Sequence, residues 1–193
     1  MSRDLLGRIF VSGTLRARTA IHVGGASDEG QRKAFARDGQ GRWCIPGTSL
    51  AGPLAQWLRE HVVDGDSLVD ALFGHEEDDG HASFLYTDDA CADAAASYTR
   101  AGTQIERTHE TAREGFLHER EVLPRGTGFD FSLELELPVR PMRSRRGHGG
   151  AEFTAGQFEG ALRLLLLQLV DGGGISLGGG KTRGLGRLTL QRA

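Results

Sequence analysis

Cysteine is scarce in this chain: two residues among 193, Cys44 and Cys91, remote from one another in sequence and with no C-x-x-C step. That argues against zinc sites and disulfide scaffolds, and suits a reducing cytoplasm. Long apolar runs are missing too. The longest, around "LLLLQLV", is too short to cross a bilayer, and "MSRDLLGRIF" lacks the apolar core of a signal peptide. A soluble, cytoplasmic protein is expected. Basic excess is also lacking, since 23 Lys and Arg face 26 Asp and Glu for a net charge of -3. The average conceals segregation. Residues 1–59 carry nine basic and four acidic residues, 60–93 carry eleven acidic and no basic ones, and 140–193 carry nine basic and three acidic. Two accounts stay open: ordinary surface scatter, or a basic face built from both ends of the chain.

What is present suffices for one core. At 38% hydrophobic, 193 residues are expected to fold as a single domain, 1–193. "GRIFVSGTLRAR" alternates Ile9, Val11, Gly13 and Leu15 against Phe10, Ser12, Thr14 and Arg16, which is strand period. "GGASDEGQRK" reads as a loop, and "FARDGQGRWCIPG" as a hairpin. From about Ala51, Leu54, Trp57, Leu58, His61 and Val62 follow helical spacing, with Pro53 expected in the first turn. Residues 64–82, with "HEEDDGH", read as a polar, acidic excursion. "FLYTDDA" is a short strand and turn, and "FDFSLELELP" is the clearest strand. "RPMRSRRGHGG" is a basic loop. Thr154 and Gln157 form a capping box before a helix whose stripe is Phe158, Ala161, Leu162, Leu165, Leu166 and Leu169. A glycine-rich stretch and a last strand follow. The order strand, helix, strand, strand, helix, strand predicts an α+β, ferredoxin-like (RRM-like) antiparallel sheet with two helices on one face.

The stretch "DGGGISLGGGKTRGLGRLTL" (171–190) holds eight glycines and a Gly-Lys-Thr step. It is not a P-loop: Ile175 stands five residues before Gly180, where that motif needs glycine. The order helix, glycines, strand also reverses the strand, loop, helix order that aims a helix N-terminus at phosphates. As an RNA contact the composition is coherent, because glycine lets the backbone approach a sugar-phosphate chain while Lys181 and Arg183 supply charge. A helix C-cap and loose turn is the competing account, for which three glycines suffice.

Several segments together resemble the RAMP superfamily of CRISPR–Cas proteins, and the type III backbone subunits within it. They are "IHVGG" (21–25), "ARDGQGRWCIPGTSLAGPLAQWL" (36–58), "LFG" (72–74), "FLYTDDA" (84–90), "QIERTHETAREGFLHEREVLPRGTGFDF" (104–131) and "GGGKTRGLGRL" (178–188). The resemblance covers most of the chain in order. It implies a guide-RNA-binding backbone subunit of a type III effector complex in antiviral defence. It also implies a thumb-like insertion at about 98–126 and a C-terminal glycine-rich loop. The implied partners are guide (CRISPR) RNA, complementary target RNA and other effector subunits, including stacked copies, with no membrane. RNA contacts are expected at His22, Gly24, Gly25, Thr48, Ser49, Arg107, Arg113, Gly178, Gly179, Gly180, Lys181, Thr182 and Arg183. The lysines that the family carries on the first helix correspond here to Ala51 and Pro53. No cofactor is implied for binding; Mg or Mn is implied if RNA is cut. The family's cutting aspartate would fall near Arg32 or Lys33, which leaves Asp28 as the catalytic candidate. The alternative is a stand-alone RAMP endoribonuclease processing guide-RNA precursors through His61 or His109. "HEEDDGH" can present His75, Asp78, Asp79 and His81 to a metal, against the plainer reading of a solvated excursion. Phe10 alone is too little for an aromatic stacking platform of the RNA-recognition kind.

Overall fold

The computed structural model describes residues 4–29, 32–75, 80–92, 96–106, 111–145 and 150–191; at 26–29, 32, 102–106 and 111–118 it describes the backbone alone. In chain order the elements are β1 (Leu5–Ala17), β2 (Gly24–Glu29), β3 (Arg32–Phe35), β4 (Cys44–Ile45), α1 (Gly47–His61) and α2 (Gly65–Phe73). Next come β5 (Leu85–Thr87), β6 (Ala90–Cys91), β7 (Tyr98–Glu106), β8 (Thr111–Val122), β9 (Gly128–Pro138), β10 (Met142–Arg143) and β11 (Glu152–Phe153). The last are α3 (Ala155–Val170), β12 (Ile175–Ser176), a 3-10 turn at Lys181–Arg183, and β13 (Arg187–Gln191).

The main sheet has the order β12-β13-β1-β9-β5, with every pairing antiparallel. Setting β12 aside, β1, β5, β9 and β13 are the first to fourth strands of the expected plan. Their order, fourth-first-third-second, is the ferredoxin-like arrangement. Register explains why the alternation was readable. Leu15 stands opposite Phe129, Val11 opposite Leu133 and Ile9 opposite Leu135, so one face of both strands is apolar. Against it lie α3, over β9 and β13, and α1, over β5 and β12. Phe158 of α3 is fully buried, its ring 5.5 Å from that of Phe84. The opposite sheet face pairs Arg8 with Glu134 and Glu136 (3.3 and 2.9 Å) and leaves Phe10 exposed opposite Glu134.

The capping box of α3 is present: Thr154 accepts from the Gln157 N–H, and the Gln157 side chain accepts from the Thr154 N–H. Three expectations need correcting. The expected polar excursion of 64–82 begins with a third helix, α2, whose Leu68, Val69, Ala71 and Leu72 are buried. Asp64 in the left-handed region turns the chain, and Gly65 lies so close to the Leu58 carbonyl that a side chain would collide. The expected loop "GGASDEGQRK" contributes β2 and β3 instead, because β3 pairs in parallel with β8, which composition cannot reveal. Finally, α1 starts at Gly47, placing Pro53 inside the helix rather than in its first turn. There the missing N–H forfeits a bond to the Ser49 carbonyl.

The segment expected as a thumb, 98–126, contains the β7/β8 hairpin. It forms a second sheet, β2-β3-β8-β7, joined to the first through the Ile21–Leu123 bridge.

Candidate nucleic-acid interface

The glycine stretch leaves α3 and crosses the chain that follows β1. Leu177 donates to the Gly186 carbonyl, Gly179 to the His22 carbonyl and Gly186 to the Ala20 carbonyl (3.0, 2.8 and 2.8 Å). Gly178 shows why glycine is required: its φ is +79°, and a Cβ would run into the His22 carbonyl. Gly184, with φ +76°, has open space around its Cα. Between them Lys181, Thr182 and Arg183 form a 3-10 turn in which every side chain is exposed. Arg187, on β13, turns back to donate from Nε to the Gly173 carbonyl at 2.6 Å, so its head closes the loop's base.

A buried support, His22, and the half-buried Arg120 lie beside this turn. His22 is 3% exposed. Its Nδ1 donates to the Glu121 carbonyl at 2.7 Å, and its ring lies against Gly179. His22, expected at RNA, is thus buried under the loop and supports Gly179. Arg120, from β8, brings Nη1 to 3.2 Å of the point where a Gly180 Cβ would stand, adding a third cation beside Lys181 and Arg183.

Glu121 went unnoticed in the sequence. Its side chain, 8% exposed, accepts from Phe35 N–H (3.0 Å), Arg37 (3.0 Å), Trp43 Nε1 (3.1 Å) and Ser97 Oγ (2.7 Å). Burial by itself would raise its pKa. The bonds from Ser97, Phe35 and Trp43 and the Arg37 charge outweigh that and lower it from 4.5. One strand segment thus fixes His22 by its backbone and the 37–43 hairpin by a carboxylate, and sets Arg120 beside the glycine loop. The hairpin's Asp38 binds the N–H groups of Gln40 and Arg42 and the Arg42 side chain (2.9, 2.9 and 2.7 Å). The side-chain bond to Arg42 leads in holding its pKa at about 2.

A groove of about 600 Å³ runs between α1 and the glycine stretch, lined by Gly52, Pro53, Gln56, Trp57, Glu60, Gly174, Ile175, Ser176 and Lys181. His61 is exposed rather than in the core expected from its spacing. It stacks on Trp57 at 4.6 Å, with Nδ1 bonded to the Trp57 carbonyl at 2.9 Å. At the start of α1, Thr48 is exposed and Ser49 half-buried. The Gly47 N–H there already donates to Asp89 Oδ1 at 2.8 Å. A phosphate approaching this end would meet a carboxylate, which weakens the helix N-terminus as an anion site.

The remaining expected residues are dispersed. Gly24 and Gly25 open β2, and Gly25 lies against Ala36. Asp28 lies on β2 opposite Lys33, within a strand ladder rather than a loop. Arg113 lies on β8, while Arg107 and His109 are outside the described residues. Cys44 and Cys91, remote in sequence, are directly opposite one another on β4 and β6. No helix among the described residues is long and apolar enough to cross a membrane.

A sequence profile of the RAMP superfamily matches residues 14–189. No curated protein matches the chain. Among solved structures, one of a type III-B Cmr-beta complex in the apo state contains a similar chain. It has a TM-score of 0.69 and 15% identity, and the match covers 95% of this chain and 96% of that one. A second, of type III-B Cmr-beta bound to cognate target RNA, gives a TM-score of 0.68 and 16% identity over 95% and 96% of the two chains.

Proposed function

Since the chain belongs to the RAMP superfamily, we propose that it is a guide-RNA-binding backbone subunit of a type III CRISPR effector complex. The observation that carries this reading is the exposed Lys181-Thr182-Arg183 turn. It is held out by a glycine hinge over the buried His22, with Arg120 alongside. The likeness in fold to chains of Cmr-beta structures supports the assignment to an effector complex, including one structure bound to target RNA. Phosphates would be met by the cations and backbone N–H groups of the turn, and the groove beside Trp57 offers an aromatic wall to an adjoining nucleotide.

The test is Lys181→Ala with Arg183→Ala, measured as guide-RNA affinity across a salt series. Losing two phosphate contacts lowers the slope of log K against log salt by about 1.4, at about 0.7 per contact for a single strand. An unchanged slope would remove the loop from the interface. Binding without cutting is the reading adopted for the complex, because the positions at which the resemblance places a cutting aspartate hold Arg32 and Lys33. Regular magnesium- or manganese-dependent cuts in guide-complementary RNA by the assembled complex, abolished by Asp28→Ala, would reverse that.

A further inference from the structure

The loop between α2 and β5 holds two histidines that RNA binding does not use. Gly74 closes α2 with its N–H on the Asp70 carbonyl, and it lies so close to the His81 carbonyl that a Cβ would collide. The Phe84 N–H donates to the Leu72 carbonyl at 2.8 Å. These contacts pin the loop's two ends together and bring the rings of His75 and His81 to a centroid separation of 5.5 Å.

The protonation pattern is informative. His81 Nδ1 is bonded to the Ala82 carbonyl at 3.0 Å; a carbonyl only accepts, so the proton is on Nδ1 and Nε2 presents a lone pair. His75 Nδ1 faces Asp70 Oδ2 at 3.6 Å. Ser144 Oγ and the Arg145 N–H hold that same oxygen from behind (3.2 and 2.9 Å). Both His75 ring nitrogens and His81 Nε2 are buried with no hydrogen-bond partner among the described residues. A carbonyl bonded at one ring nitrogen, with the other left bare, is the outer-shell pattern of metal-ligating histidines, and His81 shows it; at His75 a carboxylate faces Nδ1 without bonding it. Spacing agrees. A metal about 2.05 Å from each Nε2 is roughly 3.2 Å from each ring centre, and a tetrahedral angle then separates the centres by about 5.2 Å.

We propose that His75 and His81 bind one zinc ion through their Nε2 atoms, with Asp70 positioning His75. Among the described residues no group of three His, Cys, Asp or Glu side chains could hold a metal by itself. Asp78 and Asp79, the other two expected ligands, lie outside the described residues, so the described residues contribute two imidazoles, and imidazole selects zinc over magnesium. The ion clips the end of α2 to the strand entering the main sheet.

The test uses tag-free full-length chain titrated with Zn²⁺, with Co²⁺ as spectroscopic substitute and Mg²⁺ as comparator. One Zn²⁺ per chain is expected, raising the melting temperature, with a visible Co²⁺ band and no response to Mg²⁺. His75→Ala and His81→Ala each weaken Zn²⁺ at least tenfold, and Asp70→Asn by about 10–100-fold. Absence of both the Co²⁺ band and the Zn²⁺ shift in the unaltered chain would overturn the site, whatever the variants do. So would affinity retained in the double histidine variant, or a near-ultraviolet thiolate band placing the metal on Cys44 and Cys91.

Discussion

At the scale of single residues, Glu121 concentrates the largest consequence. Its carboxylate accepts from donors of four other residues while nearly buried, so Glu121→Ala leaves a backbone N–H and an indole N–H unpaired. A loss of about 2–3 kcal/mol is expected in urea unfolding. Because its folded pKa is lowered, its contribution is complete above pH 4.5 and is lost as pH falls through the folded value. Glu121→Gln should therefore flatten the acid limb of stability measured between about pH 5 and 3. Glycines separate by role in the same way. Gly178→Ala meets both a left-handed φ and the His22 carbonyl, whereas Gly184→Ala meets only the φ. Thermal melts should show the second costing about 1 kcal/mol and the first clearly more. The cysteines differ in reactivity. Cys44 is buried, and burial, then the Cys91 thiol, push its pKa up to about 12, while Cys91 is half-exposed. Alkylation at pH 8 followed by mass spectrometry should label Cys91 first. None of this was legible in sequence. The partners of Glu121 lie at 35, 37, 43 and 97, and the two thiols meet only through the β4–β6 pairing.

Among elements, legibility followed self-sufficiency. β1, β9 and α3 announce themselves because each buries one face and repeats its apolar residues at the period of that face. β2 and β3 could not be seen, because their ladder depends on β8, far along the chain. α2 is nine residues long and bordered by aspartates, so its apolar face was lost in an acidic background. Within α1, Pro53 lies on the groove wall at an interior position. Pro53→Ala restores the missing helix bond, offset by a more flexible unfolded chain, and should raise stability by roughly 1 kcal/mol. The glycine loop was legible in composition, but its supports were not, since His22 looked like a contact residue and Arg120 had no visible destination.

For the whole molecule, the choice of binding surface turns on where charge of each sign collects. The open sheet face offers Phe10, but Glu134 stands opposite it and Glu136 beside that, both engaged by Arg8. A polyanion gains nothing there. Phe10→Ala should leave guide affinity unchanged within about twofold, in contrast to the loop variant, when both are measured in the same salt series. Charge segregation read from the sequence thus persists in three dimensions only in part: Lys181 and Arg183 share an exposed turn with Arg120 near it, while Arg8, Arg37 and Arg42 are engaged by carboxylates. The central position of β1 has a further consequence, in time. Its neighbours are β9 and β13, and synthesis at roughly 5–20 residues per second delivers β9 only about 6–24 seconds after β1, with β13 later still. For that interval the strand that becomes the middle of the sheet has two open edges and an uncovered apolar face. A nascent chain halted before residue 128 should be held by chaperones, and one extended past residue 191 should be released.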